Sequence, residues 1–417
     1  MIRAIASDNF PPFGEFVLPL LPVEKKPLDL GEVHLFTGVN GTGKTRLLSI
    51  IAAILGGQAS LLKRMKGVSF ETTIFATDEV PAPDYRGNWS RIVIRPNATE
   101  FLRTFGPSIL QIQKAPAFAY SGNAYVSDAK ISALGGVERP NRDSCLSFSH
   151  PETSSQSLLQ AIANLKIASA LHAEESAIAA GKSNPTDLMK AIESTLTGIT
   201  GVPFQFQLAR FPELSLGVKW GGSELSFDVL PDGLRSIIGW MVHASVMVEI
   251  WLQGKSDPRR AEAIFLLDEP ESHLHPAWQR KILPAFQRLF PKAQVFVATH
   301  SPFVIASVNH GWIYPITIGP HGKATFEKAI SASSGESYVS VVEDIMGLKE
   351  WFDPETESLL AKFRETRKRA YAGSATAQAE ARKLAAEISR RSVELEFMMV
   401  RELSQMDRQL DKQTAPK

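Results

Sequence analysis

Cysteine is almost absent from this chain. Among 417 residues only Cys145 is present, which excludes an intrachain disulfide and any cysteine-built metal cluster and fits a reducing compartment. Charge of one sign is missing as well: 45 Lys and Arg face 44 Asp and Glu, so a nucleic-acid ligand would need a local basic patch and not a global field. Long hydrophobic runs are also lacking. The most membrane-like window, residues 237–252, contains His243 and Glu249 and falls short of the roughly 20 apolar residues a span needs, so a buried helix is expected and no membrane. Residues 1–10 have neither the basic stretch nor the apolar core of a signal peptide, and Pro11 and Pro12 follow. A cytoplasmic protein is therefore expected, and no internal repeat or low-complexity tract interrupts it.

What is present is enough apolar material, 44% of residues against 21% charged, for one large or two medium domains. A β-prone run at residues 33–36 leads into a glycine-rich loop, and residues 46–55 then show helical spacing. Short β-prone pieces, 70–76, 91–94 and 117–120, predict a small antiparallel lobe at about residues 60–130. Alternating alanine, leucine and charge predict a helical insertion at about residues 155–200, too short for a long coiled-coil arm. Strands at 204–208 and 214–220 and the segment 225–229 precede a long helix over 233–251. Residues 263–267 then read as a strand buried on both faces of a parallel sheet, with a helix at 278–290 and a strand at 294–298 repeating the βα rhythm. The expected organisation is a mixed α/β domain over residues 1–330 and a helical extension over 331–417.

Three segments carry chemistry. Gly38, Val39, Asn40, Gly41, Thr42, Gly43, Lys44 and Thr45 form a P-loop between a strand and a helix: backbone N–H groups face phosphate, Lys44 neutralises its charge, and the Thr45 hydroxyl suits Mg²⁺. Ile264 to Leu267 is an apolar strand that delivers two adjacent acids. Asp268 would hold the Mg²⁺ shell and Glu269 would polarise the attacking water; paired acids at a strand end are costly unless a cation and water use them. His300 follows the apolar run 295–298, where its imidazole can donate to the γ-phosphate.

In this order and spacing, the segments resemble the ABC-type ATPases, more narrowly the RecF, SMC and OLD-like branch. The string Asp268-Glu269-Pro270-Glu271-Ser272-His273-Leu274-His275-Pro276 is similar to that branch's Walker B running into its D-loop. The likeness covers roughly residues 1–50 and 225–310. It implies ATP and Mg²⁺ as cofactors and a nucleotide sandwiched between two heads, hence a dimer or larger even-numbered homo-oligomer. His273 and His275 invite a zinc reading, but no cysteine or third histidine stands near them in the sequence.

The best match to the family's signature loop is Leu230-Pro231-Asp232-Gly233-Leu234-Arg235, in which Pro231 replaces the usual serine and removes its hydroxyl and N–H. Gly233, at a helix start, would face the other head's phosphate in trans. Arg235 would supply charge there, or alternatively a surface salt bridge. The family's Q-loop glutamine has no clear counterpart between Ala117 and Gln160. Phe10 and Phe13 are candidates for adenine stacking, with core packing as the alternative. In the tail, Leu395, Met399, Leu403, Met406 and Leu410 make one apolar stripe that either packs internally or docks a partner, and Arg364, Arg367, Lys368 and Arg369 form a basic run.

No Asp-x-Asp motif of a Toprim nuclease and no HNH arrangement is evident after His300. A stand-alone ATPase with a short helical tail resembles the ATPase subunits of bacterial anti-phage systems of the Septu and retron kinds, which implies a separately encoded effector such as a nuclease. The rival is a RecF-like DNA-repair ATPase that binds duplex DNA; a transporter subunit is a third reading. The sequence leaves open the effector, its trigger, the stoichiometry, the hydrolysis rate and the choice between DNA and RNA.

Overall fold

The computed structural model describes residues 1–23, 29–56, 70–75, 90–94, 102–103, 114–132, 135–148, 153–172, 185–209, 213–332, 337–348 and 350–414. The chain divides into two compact units, Met1–Met346 and Gly347–Lys417. The division falls later than the expected 330/331: Ile330–Ala332 pairs with the main sheet, and residues 338–345 pack on the short helix Pro302–Ile305, with Tyr338 against Phe303.

The main sheet of the first unit has seven strands among the described residues. Its path includes β3 (Glu32–Gly38), β7 (Ala117–Ser121), β11 (Ile264–Asp268), β12 (Gln294–Ala298), β13 (Gly311–Ile318) and β14 (Ala324–Phe326), in the order β14-β13-β3-β12-β11-β7, with β15 (Ile330–Ala332) pairing β13. Every residue of β11 and β12 is buried, as a strand covered on both faces requires. From β13 through β3, β12 and β11 to β7 the pairing is parallel, while β14 and β15 are antiparallel.

Strand β7 corrects an expectation. Residues 117–120 were assigned to the antiparallel lobe, yet they pair in parallel with β11 at the edge of the main sheet. The antiparallel sheet is built instead from β1 (Ala4–Phe10), β2 (Gly14–Pro19), β4 (Phe70–Phe75), β5 (Ser90–Ile94) and β6 (Leu102–Arg103), ordered β2-β1-β4-β5-β6. The rest of that expected lobe, residues 57–69, 76–89, 95–101 and 104–113, lies outside the described residues. A third sheet, β10 (Ser223–Leu225), β9 (Ser215–Trp220) and β8 (Phe204–Ala209), ends before residues 227–229, which form a 3-10 turn and no strand.

Helix α1 (Lys44–Leu55) follows the P-loop and buries a solid apolar run from Leu47 to Leu55 except for Ser49. The helical insertion comprises α2 (Thr153–His172) and α3 (Pro185–Thr200); expected helix over 173–184 lies outside the described residues. The long helix expected over 233–251 is α4 (Asp232–Ile237), a π turn over Ile238–Val242, and α5 (His243–Leu252), buried from Gly233 onward on most of its positions. Among the described residues no helix is long and apolar enough to cross a membrane. Helix α6 (Pro276–Leu289) completes the βα unit between β11 and β12.

The second unit is three helices, α7 (Pro354–Tyr371), α8 (Ala375–Ser389) and α9 (Val393–Thr414). Leu395, Met399 and Met406 of the tail stripe are buried in its core beside Leu360, Phe363 and Ile388, with Leu403 and Leu410 packed partly against it. The stripe is therefore internal packing.

Candidate nucleotide site

Register brings the motifs together. Ser121 pairs with Asp268, Asp268 with Ala298, and Ala298 with Phe36, so one row crosses four adjacent strands. With strands about 4.8 Å apart, whatever follows this row stands side by side at the sheet's carboxyl edge, the crevice where open α/β sheets bind ligands. Following it are Gly122, Glu269, Thr299 with His300, and Gly38 with the P-loop.

The P-loop starts where Gly38 passes the carbonyl of Ile316 so closely that a Cβ would lie 2.2 Å from that oxygen. Lys44 is buried and donates to the carbonyls of Gly38 at 2.8 Å and Val39 at 3.1 Å, with Thr42 Oγ1 at 3.4 Å. Burial pulls its ammonium down to about 8, against the opposing pull of Glu269, Asp268 and Glu271. Thr45 Oγ1 donates to Asp268 Oδ1 at 2.8 Å. A hydroxyl and a carboxylate so joined form the hard-oxygen pair that suits Mg²⁺, which would neutralise phosphate charge once bound. Val39, Asn40 and Gly41 stay exposed or half-exposed at the loop's tip, Thr42 is buried, and Gly43 makes the left-handed turn into α1.

Glu269 adopts φ 50°, the left-handed region that a non-glycine residue enters only under constraint. Its N–H is held by the Ala298 carbonyl at 2.8 Å. Beside it Gly122 leaves no room for a side chain, since a Cβ there would lie 1.9 Å from the Glu269 carbonyl oxygen. The half-exposed Glu269 carboxylate reaches to 3.8 Å from His300 Nε2. Burial and then the Lys44 charge lower the His300 pKa, which Glu269 and the Gly38 carbonyl partly offset, so the ring favours its neutral form.

Sequence reasoning missed five participants. Ser121 ends β7 and Gly122 and Asn123 follow it, directly beside the acids and within the stretch expected to hold a Q-loop residue; Gly122 N–H donates to the Asp268 carbonyl at 2.9 Å, and Asn123 Oδ1 meets His273 Nε2 at 3.2 Å. Glu271 is buried and accepts from Thr299. Gln279 accepts from the Ser301 hydroxyl at 2.6 Å.

Other candidates sit elsewhere. Phe10 and Phe13 are fully buried, stacked on one another, with Phe13 also stacked on Phe326, so they are core and offer adenine no face. His275 caps α6 and His273 turns to Asn123, so the two imidazoles are engaged separately. In the signature loop Pro231 and Asp232 are exposed, while Gly233 is buried against the His273 carbonyl, Leu274 and Trp278. Arg235 is held within its own chain: Nε donates to Val126 O at 3.0 Å, and Asp228 and Asp232 each lie 3.7 Å away.

A family described as "AAA domain, putative AbiEii toxin, Type IV TA system" matches residues 205–306, which contain both acids and His300. In its motifs and their order the chain resembles ABC-type ATPase heads. It is 28% identical over 171 residues, 38% of this chain and 33% of the other, to the Retron Vc95 probable ATPase of Vibrio cholerae serotype O1 biovar El Tor. It is 24% identical over 176 residues, 40% of this chain and 44% of the other, to the Septu protein PtuA of Bacillus thuringiensis. The chain thus spans less than half the length of these curated relatives. Among solved structures, an SMC head bound to the C-winged helix domain of ScpA aligns over 79% of this chain and 98% of its own, with TM-score 0.44 and 15% identity. The recombination mediator RecF aligns over 79% and 98%, with TM-score 0.40 and 11% identity.

Proposed function

We propose that this head binds and hydrolyses ATP and that it serves as the regulatory ATPase of an anti-phage system, acting on a separately encoded effector such as a nuclease. The observation that carries the ATPase reading is the single register row that sets Lys44, Thr45, Asp268, Glu269 and His300 around one crevice. Within it, Lys44 and the P-loop N–H groups would bind phosphate, Thr45 and Asp268 would hold Mg²⁺, which would neutralise phosphate charge, Glu269 would take a proton from water, and His300 would donate toward the γ-phosphate. The likeness to the retron and Septu proteins supports the anti-phage reading.

One set of motifs leaves the outer side of the crevice open. A second copy would close it, with the exposed edge of its 230–235 loop facing Lys44, in a dimer or larger even assembly. ATP binding and turnover by the purified chain against concentration test the head-to-head arrangement: activity should rise with assembly, and full activity in a strictly monomeric chain would reject it. Co-purification from the native operon followed by mass spectrometry tests the effector.

The RecF-like reading draws on one feature. A cavity of about 640 Å³ between α3 and α6 is lined by Arg259, Arg280, Lys281 and Arg288 and by no acidic residue. Duplex DNA that binds there without any effector and stimulates turnover would favour that reading.

A further inference from the structure

Glu271 lies in the loop that follows the two acids, and its burial there is costly. The residue is 8% exposed, Oε2 has no hydrogen-bond partner, and burial pushes its carboxyl up to about 7 despite the lowering effect of Thr299. Its other oxygen is fully used. Oε1 accepts from the Thr299 hydroxyl and from the His300 N–H at 3.3 Å. The Thr299 oxygen in turn accepts from the Ser301 N–H at 2.9 Å, so one carboxylate gathers the three residues of the turn carrying His300. From the other side Ser301 Oγ donates to Gln279, whose amide donates to the Leu274 carbonyl at 2.9 Å. The turn is thereby braced between the 271–275 loop and α6.

We infer that Glu271 is a positioning residue for turnover: through Thr299 and the His300 N–H it fixes the imidazole beside Glu269, and it ties that placement to the exposed loop around His273. This rests on reading the crevice as an ATPase site. A packing role alone would be served more cheaply by an apolar side chain, which would leave no buried oxygen unpartnered. The loop it anchors is itself constrained, since His273 adopts φ 64° and bonds Asn123 beyond β7. A shift of that loop therefore reaches the turn of His300 through Glu271 directly and, by way of Leu274 and Gln279, through Ser301.

The test is a double-mutant cycle on the full chain, reading kcat, KM for MgATP, nucleotide affinity and melting temperature. Glu271→Ala should lower kcat by about the same factor as His300→Ala, on the order of 10- to 100-fold, with KM and affinity nearly unchanged. The double variant should be no slower than His300→Ala alone, because both act through one imidazole. Glu271→Gln should restore most of the rate, since an amide oxygen accepts the same two hydrogen bonds. Losses that multiply in the double variant, or a Gln variant as slow as Ala, would overturn the inference. If Glu271→Ala does not fold, Thr299→Val takes its place in the cycle with the same expectation and the same overturning result. Absence of turnover in the wild-type chain would instead defeat the ATPase reading, and this inference with it.

Discussion

The carboxyl edge of the main sheet and the three-helix unit are built on opposite principles. In the helical unit local rules set where α7 and α8 begin and which face of α8 is buried. Asp353 caps α7 by accepting from the N–H groups of Glu355 and Thr356, Pro354 occupies the first helical position, and Ser374 caps α8. Ala377, Ala381, Ala385 and Ile388 recur along one buried face of α8. At the sheet edge the rules are broken repeatedly. Glu269 and His273 take left-handed backbone angles, Gly122 admits no side chain, Lys44 is buried, and Glu271 hides an unpartnered oxygen. Such strained conformations cost about 1–3 kcal/mol each and persist only where surrounding structure holds them. The contrast locates function: one region is optimised for packing, the other is held in a state that packing alone would not choose.

The sharpest way to separate the regions is Glu269→Gln. It removes the proton acceptor but leaves Lys44, Thr45 and Asp268 in place, so turnover should fall by about 10²- to 10⁴-fold while ATP binding survives and a closed ATP state accumulates. Single-turnover hydrolysis and nucleotide affinity measure the two halves. Stability should scarcely change, because the carboxylate is half-exposed and hydrogen-bonds nothing it must keep. Normal turnover would remove Glu269 from its role.

The reverse experiment belongs to the helical unit. Met399 is 1% exposed and Leu403 packs partly on the same core, so Met399→Asp with Leu403→Asp puts unpaired carboxylates into α9's buried face. A loss of about 3–5 kcal/mol is expected, enough to melt a three-helix unit, with no direct effect on the nucleotide crevice. Circular dichroism and limited proteolysis report it. A double variant that melts like wild type would mean that this face is not core.

How much of this was legible in the sequence follows from how local each feature is. The P-loop, the paired acids and His300 each lie in an unbroken segment behind an apolar strand, so spacing alone exposes them. Strand β7 is different: its β-propensity is visible, but its partner Ile264 to Asp268 stands far along the chain, and propensity carries no information on partners. Placing Ser121 to Asn123 beside the acids depends on that pairing. Glu271 stood within the recognised string, yet its role depends on Thr299 and His300, which only the β11-β12 register brings near. Arg235 makes the ion pairs that stood as its alternative, to Asp228 and Asp232 close in sequence, and donates to the Val126 carbonyl, which is not.

A pH experiment measures the cost at the sheet edge. The Glu271 carboxyl is raised to about 7 from an ordinary 4.5, so the folded state prefers its protonated form. Below the ordinary value both states are protonated and no penalty arises; as pH rises from about 4.5 through 7 the folded state loses stability relative to the unfolded one, and above 7 the penalty is constant. Glu271→Gln cannot titrate there. Its unfolding free energy should therefore gain on wild type by up to about 3 kcal/mol between pH 4.5 and 8, read from paired denaturant curves. A difference that does not vary with pH would mean that the buried carboxylate titrates normally.

The smallest effect is expected on α9's other face, where Val393, Phe397 and Val400 are 68%, 73% and 62% exposed. They lie three and four residues apart, on the side turned away from Leu395, Met399 and Met406, so they contribute area to the surface and little to the core. Phe397→Ser should change stability by less than about 0.5 kcal/mol, in contrast to the Met399 and Leu403 pair only a few residues away. Denaturation at several protein concentrations makes the comparison strict. If a second copy covers this face in solution, Phe397→Ser would lower the wild-type midpoint most at high concentration, and the wild type alone would lose stability on dilution. A midpoint independent of both concentration and substitution would leave α9 with one buried face and one solvated face, as its packing in the three-helix unit requires.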